Sequence, residues 1–228
     1  TTKVIENCRN KNIKKFVYAA SSSCYGKAKT PTDETHSISP EYPYALSKYL
    51  GEQTCFHWSK VYKIPTISIR IFNAYGTRVK TTGVYGAVFG VFFKQKLENK
   101  PLTLVGNGLQ RRDFLNVKDV AKAFYMSAIS NKVNEIYNLG SGNPKTIIKL
   151  IKLIKSKKIV KLPKRPGEPD CTWANISKIK KQIGWKPEIT FENGVKEMLN
   201  EIENWKNAPL WNKKNIKKAT KTWFKYLS

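Results

Sequence analysis

Tyr44 and Lys48 stand four residues apart in Tyr44-Ala45-Leu46-Ser47-Lys48, a stretch of residues compatible with a helix. That spacing places a phenol and an ammonium one helical turn apart on one face. A nearby ammonium favours phenolate over phenol, which equips such a tyrosine to exchange a proton with a substrate hydroxyl. Upstream, Ser21-Ser22-Ser23 ends an apolar run, and a serine hydroxyl at a strand end can share the same hydrogen bond. The spacing alone is common, so its meaning rests on the elements that would bring these residues together.

Residues 3 to 12 read as the end of a helix, and Ile13 to Ala20 as a short, continuously apolar strand of the kind buried in a parallel sheet. Residues 26 to 43 hold Pro31, Pro40 and Pro43 and read as a loop. A helix over Tyr44 to Val61 and a strand from Thr66 to Phe72, ending at Asn73, complete a strand, loop, helix and strand unit. Such a unit predicts an α/β fold with a parallel sheet, whose ligands lie outside the carboxyl ends of the strands. Further along, a Gly- and Thr-containing loop from Gly76 to Gly86 precedes an apolar helix from about Ala87 to Leu97. Leu102 to Val105, followed by Gly106-Asn107-Gly108, reads as a strand entering a hairpin turn. Asp119 to Ser130 is predicted helical, Glu135 to Gly140 a strand, and residues 146 to 157 a basic amphipathic helix on the protein surface. Pro163, Pro166 and Pro169 mark an irregular passage, and helices near 175 to 183 and 192 to 206 follow. Trp173 and Trp185 are expected in the core, as is packing of Ala208-Pro209-Leu210-Trp211 and the aromatic helix after it.

The 228 residues are 40% hydrophobic and 12% aromatic, which is enough apolar material for a packed core and excludes wholesale disorder. No stretch approaches the roughly 20 apolar residues of a membrane span, and the start of the chain lacks a signal-peptide pattern. Cys8, Cys24, Cys55 and Cys171 include no Cys-x-x-Cys pair and His36 and His57 are the only histidines, so no zinc-ligand spacing exists. A reduced, cytoplasmic protein without metal is expected. The net charge is +26, but the lysines are scattered rather than gathered, which favours a solvated basic surface over a nucleic-acid or membrane site. A polyanion-binding module is the alternative that this charge suggests.

From about Ile13 to the C-terminus the sequence resembles the extended short-chain dehydrogenase/reductase family, in its nucleotide-sugar epimerase and dehydratase branch. The strand Phe16 to Ser21 followed by Tyr25-Gly26 is similar to the family's Ser/Thr motif, which implies a catalytic hydroxyl at Ser21. Tyr44 and Lys48 match its catalytic Tyr-x-x-x-Lys pair, and the resemblance implies that both also contact the cofactor. Arg70-Ile71-Phe72-Asn73 resembles the strand end where nicotinamide and substrate meet, with Phe72 on the cofactor and Asn73 on the substrate. Gly108-Leu109-Gln110-Arg111-Arg112-Asp113-Phe114 and Lys164-Arg165-Pro166-Gly167-Glu168-Pro169-Asp170 resemble the segments that grip the diphosphate and ribose. They imply Arg112, Arg165 and Glu168 as substrate ligands, with Ser22 and Ser23 beside the sugar. Arginine suits the work because its planar fork binds phosphate oxygens bidentately.

The implied fold is a partial Rossmann domain, a doubly wound parallel sheet, with a smaller mixed α/β substrate-binding domain. The first spans residues 1–80 and takes the chain back at about 117–142, and the second spans 81–116 and 143–228. Dehydratases of this branch carry an Asp-Glu pair just after the catalytic hydroxyl, and decarboxylating members a Glu two residues before the Tyr. Here those positions are Ser22 and Ser23. The expected activity is therefore 4-epimerisation of a nucleotide-diphosphate sugar, a UDP-hexose or UDP-hexuronic acid, using bound NAD in a homodimer. A 4,6-dehydratase or decarboxylase is the alternative within the family. Family members begin with a strand and a glycine-rich turn for the cofactor pyrophosphate, and no such turn occurs in these residues. The chain is accordingly expected to start inside its Rossmann domain and, by itself, to bind NAD poorly and to aggregate through an unpaired strand edge, or to be a truncated non-catalytic product.

Overall fold

A computed structural model describes residues 1–83 and 88–226, apart from the side chain of Trp223. The first elements are α1 (Thr2–Glu6), β1 (Phe16–Ser21), a 3₁₀ turn (Ser22–Tyr25), α2 (Pro43–Tyr62), β2 (Thr66–Ile71) and β3 (Asn73–Tyr75). Next come α3 (Val88–Leu97), β4 (Leu102–Val105), β5 (Arg111–Arg112), β6 (Phe114–Asn116), α4 (Val117–Ile129), β7 (Glu135–Leu139) and β8 (Lys145–Thr146). The chain finishes with α5 (Ile147–Ile154), β9 (Ile159–Leu162), α6 (Ser177–Ile183), α7 (Phe191–Asn200), a second 3₁₀ turn (Ile202–Trp205) and α8 (Lys213–Tyr226).

The helix α1 is shorter than the sequence suggests. Asn7 turns its side-chain amide onto the Lys3 carbonyl at 2.7 Å, a local bond that competes with a further helical turn. Residues 86 and 87, the end of the expected Gly76–Gly86 loop and the start of the helix after it, lie outside the described residues.

Three parallel strands in the order β1-β2-β7 form the main sheet. Its central strand β2 buries Thr66 to Arg70, whereas Phe16 to Ala19 of the flanking β1 are half-buried. The continuous burial of β2 follows from its place between two neighbours, with helices against its faces. Beyond Phe72 the chain leaves this sheet, and β3 pairs in parallel with β6. The short antiparallel pair of β5 with β8 lies nearby in sequence to the predicted phosphate-binding segment.

Leu102–Val105 forms the expected strand but not the expected hairpin. β4 pairs in parallel with β9, because Gly106 and Gly108, at φ 66° and 80°, turn the chain away into β5. The strand that arrives after α5 is the one left to pair. Leu102 and Leu104 then share a core with Ile147, Leu150, Ile151 and Ile154, the apolar stripe of α5. At the centre of that core the Tyr75 and Phe89 rings stack at 4.4 Å, with Phe114 and Phe191 packed on them. A second core under the main sheet gathers Ile67, Ile69, Tyr137, Leu139 and Trp185. Trp185 is wholly buried, donating its indole N–H to the Asp119 carbonyl at 3.0 Å. Trp173, expected in the core with it, is only half-buried, and its indole N–H bonds the Gly142 carbonyl at 3.1 Å.

The segment Ala208 to Trp211 packs against the core that includes α3. Thr81 donates to the Pro209 carbonyl at 2.7 Å and the Gln95 amide to the Trp211 carbonyl at 2.7 Å. Among the described residues no helix is long and apolar enough to cross a membrane.

Candidate functional site

The carboxyl end of β1 runs straight into the 3₁₀ turn, with Ser21 as its N-cap. The Ser21 Oγ accepts hydrogen bonds from the Ser23 backbone N–H at 3.2 Å and from the Ser23 hydroxyl at 2.9 Å. Both are accepted bonds, so Ser21 keeps its own O–H to donate.

α2 begins beside this turn. Tyr42 is extended, Pro43 occupies the first helical turn where its missing N–H costs nothing, and Tyr44 follows. Tyr44 is 38% exposed, and its ring stacks on that of Tyr42 at 6.5 Å. One turn on, Lys48 reaches back to the strand, where its Nζ donates to the Ala19 carbonyl at 2.8 Å and lies 5.7 Å from the Tyr18 ring centroid. The Tyr18 hydroxyl donates in turn to the Lys48 carbonyl at 3.2 Å. Lys48 is thereby fixed at the strand end.

One further turn brings Glu52, 1% exposed, onto the same face of α2. Its carboxylate accepts from Ser68 at 2.7 Å and from Arg70 at 2.6 and 3.0 Å, and Arg70 also donates to the Tyr25 hydroxyl at 2.8 Å. Tyr25 donates to Asn138 at 2.8 Å. This buried network ties α2 to β2, to β7 and to the turn that follows β1, and so fixes the height of Tyr44 and Lys48 above the sheet. The sequence reading passes over it, although Glu52 stands eight residues after Tyr44 and so on the same helical face.

At the end of β2 the Phe72 N–H donates to the Leu139 carbonyl at 2.9 Å, and the Asn73 side-chain oxygen accepts from Thr172 at 2.6 Å. Asp113, fully buried, accepts from the Ser141 N–H and hydroxyl, both at 2.6 Å, and from the N–H groups of Gly142 and Ala174. Burial pushes its carboxyl above the usual carboxylate range despite these donors. Asp113 thus orders the segments on either side of Asn73 and Arg112. Arg112 donates through Nη2 to the Glu168 carboxylate at 2.8 Å and through Nη1 to the Arg111 carbonyl at 2.9 Å. The two residues that the resemblance assigns to diphosphate and ribose are thus bonded to each other.

Ser21, Ser22, Ser23, Tyr44, Lys48, Phe72, Asn73, Arg112, Arg165 and Glu168 all line one cleft of about 630 Å³, within the size range of small-molecule sites. Glu41, Tyr42, Gln110 and Trp211 line it too, although the sequence assigns none of these four a role in the site. The first two directly precede Pro43-Tyr44, which was the available signal, whereas Trp211 reaches the cleft only through tertiary packing. Among the described residues no group of three or more His, Cys, Asp or Glu is placed to hold a metal ion. Burial pushes the Cys24 thiol up to about 11 and the Cys55 thiol up to about 12, which keeps both protonated near neutral pH. What the cleft offers is a hydroxyl, a phenol and an ammonium together with guanidinium groups.

Residues 1–198 match the profile of the family described as GDP-mannose 4,6 dehydratase. A putative UDP-glucose 4-epimerase of Methanocaldococcus jannaschii is 36% identical over 211 residues, which are 90% of this chain and 68% of that protein. An uncharacterized UDP-glucose epimerase of Bacillus subtilis is 33% identical over 201 residues, 85% of this chain and 62% of that protein. Among solved structures, UDP-glucuronic acid 4-epimerase from Bacillus cereus in complex with UDP-glucuronic acid and NAD superposes with a TM-score of 0.82. It is 30% identical, and the match covers 89% of this chain and 65% of that one. The chain therefore spans about two thirds of the length of each of these three proteins.

Proposed function

The chain belongs to the extended short-chain dehydrogenase/reductase family, in its nucleotide-sugar epimerase and dehydratase branch, and from that premise we propose that it carries the catalytic and substrate-binding part of an NAD-dependent nucleotide-sugar 4-epimerase. The observation that carries this reading is that Ser21, Tyr44 and Lys48 line one cleft together with Arg112, Arg165 and Glu168. Residues 1–80 and about 117–142 form the cofactor part in this reading, and 81–116 with 143–228 the substrate part.

The residues at the strand ends fit the nicotinamide half of NAD. Ala19 and Ala20 put only methyl groups on the cleft floor beside the Lys48 ammonium, and Phe72 adds an apolar wall. Tyr44, Lys48 and Phe72 would hold it. When bound, NAD would supply the hydride acceptor and donor for the sugar C4, with no net redox change.

Tyr44 takes the proton of the sugar 4-hydroxyl and gives it back to the opposite epimer, acting as base and then acid. Ser21, with its own O–H still to donate, holds the sugar oxygen as its charge changes. Lys48, pinned to the Ala19 carbonyl, keeps a positive charge beside both. Asn73, Ser22 and Ser23 surround the sugar, while Arg112 and Arg165 take the diphosphate and Glu168 the ribose. A firmly held diphosphate leaves the sugar free to turn about its link to phosphorus while Arg112 and Arg165 keep the nucleotide in place. Dehydratases and decarboxylating members of the branch carry their carboxylates at the positions that are Ser22 and Ser23 here, which favours epimerisation.

The chain acts, in this account, in the cytoplasm as a homodimer that pairs through α2, whose Leu46 and Leu50 are 44% and 54% exposed one turn apart. It needs neither nucleic acid nor membrane. Tyr44→Phe in the natural full-length protein tests the central assignment: loss of epimerisation by a factor of about 100 or more is expected. A rate close to the parent's would overturn it.

A further inference from the structure

We infer that Glu41 makes this site select a neutral hexosyl nucleotide over a hexuronosyl one. The inference deepens the epimerase reading and rests on it for the position of the sugar. Glu41 lies three residues before Tyr44 and lines the same cleft. Its carboxylate sits against two glycines far apart in the chain: a Cβ at Gly26 would stand 3.4 Å from Oε1, and a Cβ at Gly167 would stand 3.4 Å from Oε2. Gly26 closes the turn that begins at Ser21, and Gly167 belongs to the passage carrying Arg165 and Glu168. The carboxylate is therefore held beside both the turn that follows Ser21 and the passage that carries Arg165 and Glu168.

Of the two carboxylates lining this cleft, Glu168 is bonded to Arg112. Among the described residues the Glu41 carboxylate makes no hydrogen bond or ion pair. An ionised carboxylate only accepts, and its two oxygens match the two O–H donors of neighbouring pyranose hydroxyls. A hexuronate instead brings a second carboxylate into a cleft that already holds this one, and like charges so placed repel. Neutral sugars gain two charge-assisted hydrogen bonds where acidic sugars meet a charge of their own sign.

The test is titration calorimetry of UDP-glucose and of UDP-glucuronate with the natural full-length protein and its Glu41→Gln variant, run beside turnover assays of both sugars. The parent should bind UDP-glucose at least about tenfold more tightly, and Glu41→Gln should narrow that ratio to within about threefold. Glu41→Asp, which keeps the charge, should retain most of the preference. Equal affinities in the parent, a preference for UDP-glucuronate, failure to bind either, or an unchanged ratio in Glu41→Gln would each overturn the role of Glu41. A Glu41-dependent preference without turnover of either sugar would support this inference and overturn the epimerase reading. Turnover with an unchanged ratio would do the reverse.

Discussion

At the scale of single residues, the cleft divides its work by charge and by reach. Tyr44 meets the cleft with a partly exposed ring, whereas Arg112 is almost buried and already bonded to Glu168. A guanidinium held this way has its fork oriented before a phosphate arrives, and little side-chain entropy remains to be lost on binding. Arg112→Ala should therefore raise KM for the nucleotide-sugar by about 10- to 100-fold, the worth of a charge-assisted hydrogen bond, with a much smaller change in kcat. Steady-state kinetics of the variant check this, and a fall confined to kcat would contradict it. The cysteines allow a second check. Cys24 and Cys55 are buried protonated thiols, so limited iodoacetamide at neutral pH should label Cys8 and Cys171 first, as mass spectrometry of the peptides would show. Tyr44, Lys48 and the serine triplet were legible in the sequence because their chemistry depends on short local spacings. The bond between Arg112 and Glu168 was not, since 56 residues separate the two.

At the scale of elements, the position of α2 decides whether the site exists. The helix is held by a close approach and by a buried charge network. Gly51 packs so near β1 that a Cβ there would fall 2.1 Å from the Tyr18 hydroxyl, and Glu52 bonds Ser68 and Arg70 in the sheet. Removing one partner of a buried pair leaves the other charge uncompensated, so Glu52→Ala should cost about 3–5 kcal/mol in urea unfolding. Gly51→Ala should also destabilise, by pushing the helix off Tyr18, and an unchanged midpoint in either variant would show that α2 is held otherwise. The helix and the strands flanking it follow from apolar runs and from Pro43, so the sequence predicts them closely. The register of β4 with β9 does not follow from either strand: a Gly-Asn-Gly turn suggests a hairpin, and only the long connection through α5 makes the pairing parallel. The helix α1 fails in the other direction, since Asn7 stops it locally.

At the scale of the whole molecule, packed apolar cores and a basic exterior frame the cleft. A net charge of +26 attracts a nucleotide-sugar carrying two phosphates from a distance, and salt screens that attraction. Raising ionic strength from about 0.02 M to about 0.5 M should lower kcat/KM by about tenfold while kcat holds nearly steady, and a salt-independent kcat/KM would show that the charge does no steering. The order of elements, and hence the α/β class, is visible in the alternation of apolar runs with helical stretches. The aromatic core around Tyr75 and Phe89 is not, because its rings come from β3, α3, β6 and α7. The most direct measurement of the central claim follows UDP-glucose with the natural full-length protein and NAD in D₂O. Formation of UDP-galactose with protium retained at C4, abolished in Tyr44→Phe, is the result predicted for a hydride removed and returned within one site. Deuterium at C4, loss of water from the sugar, or no conversion at all would contradict it.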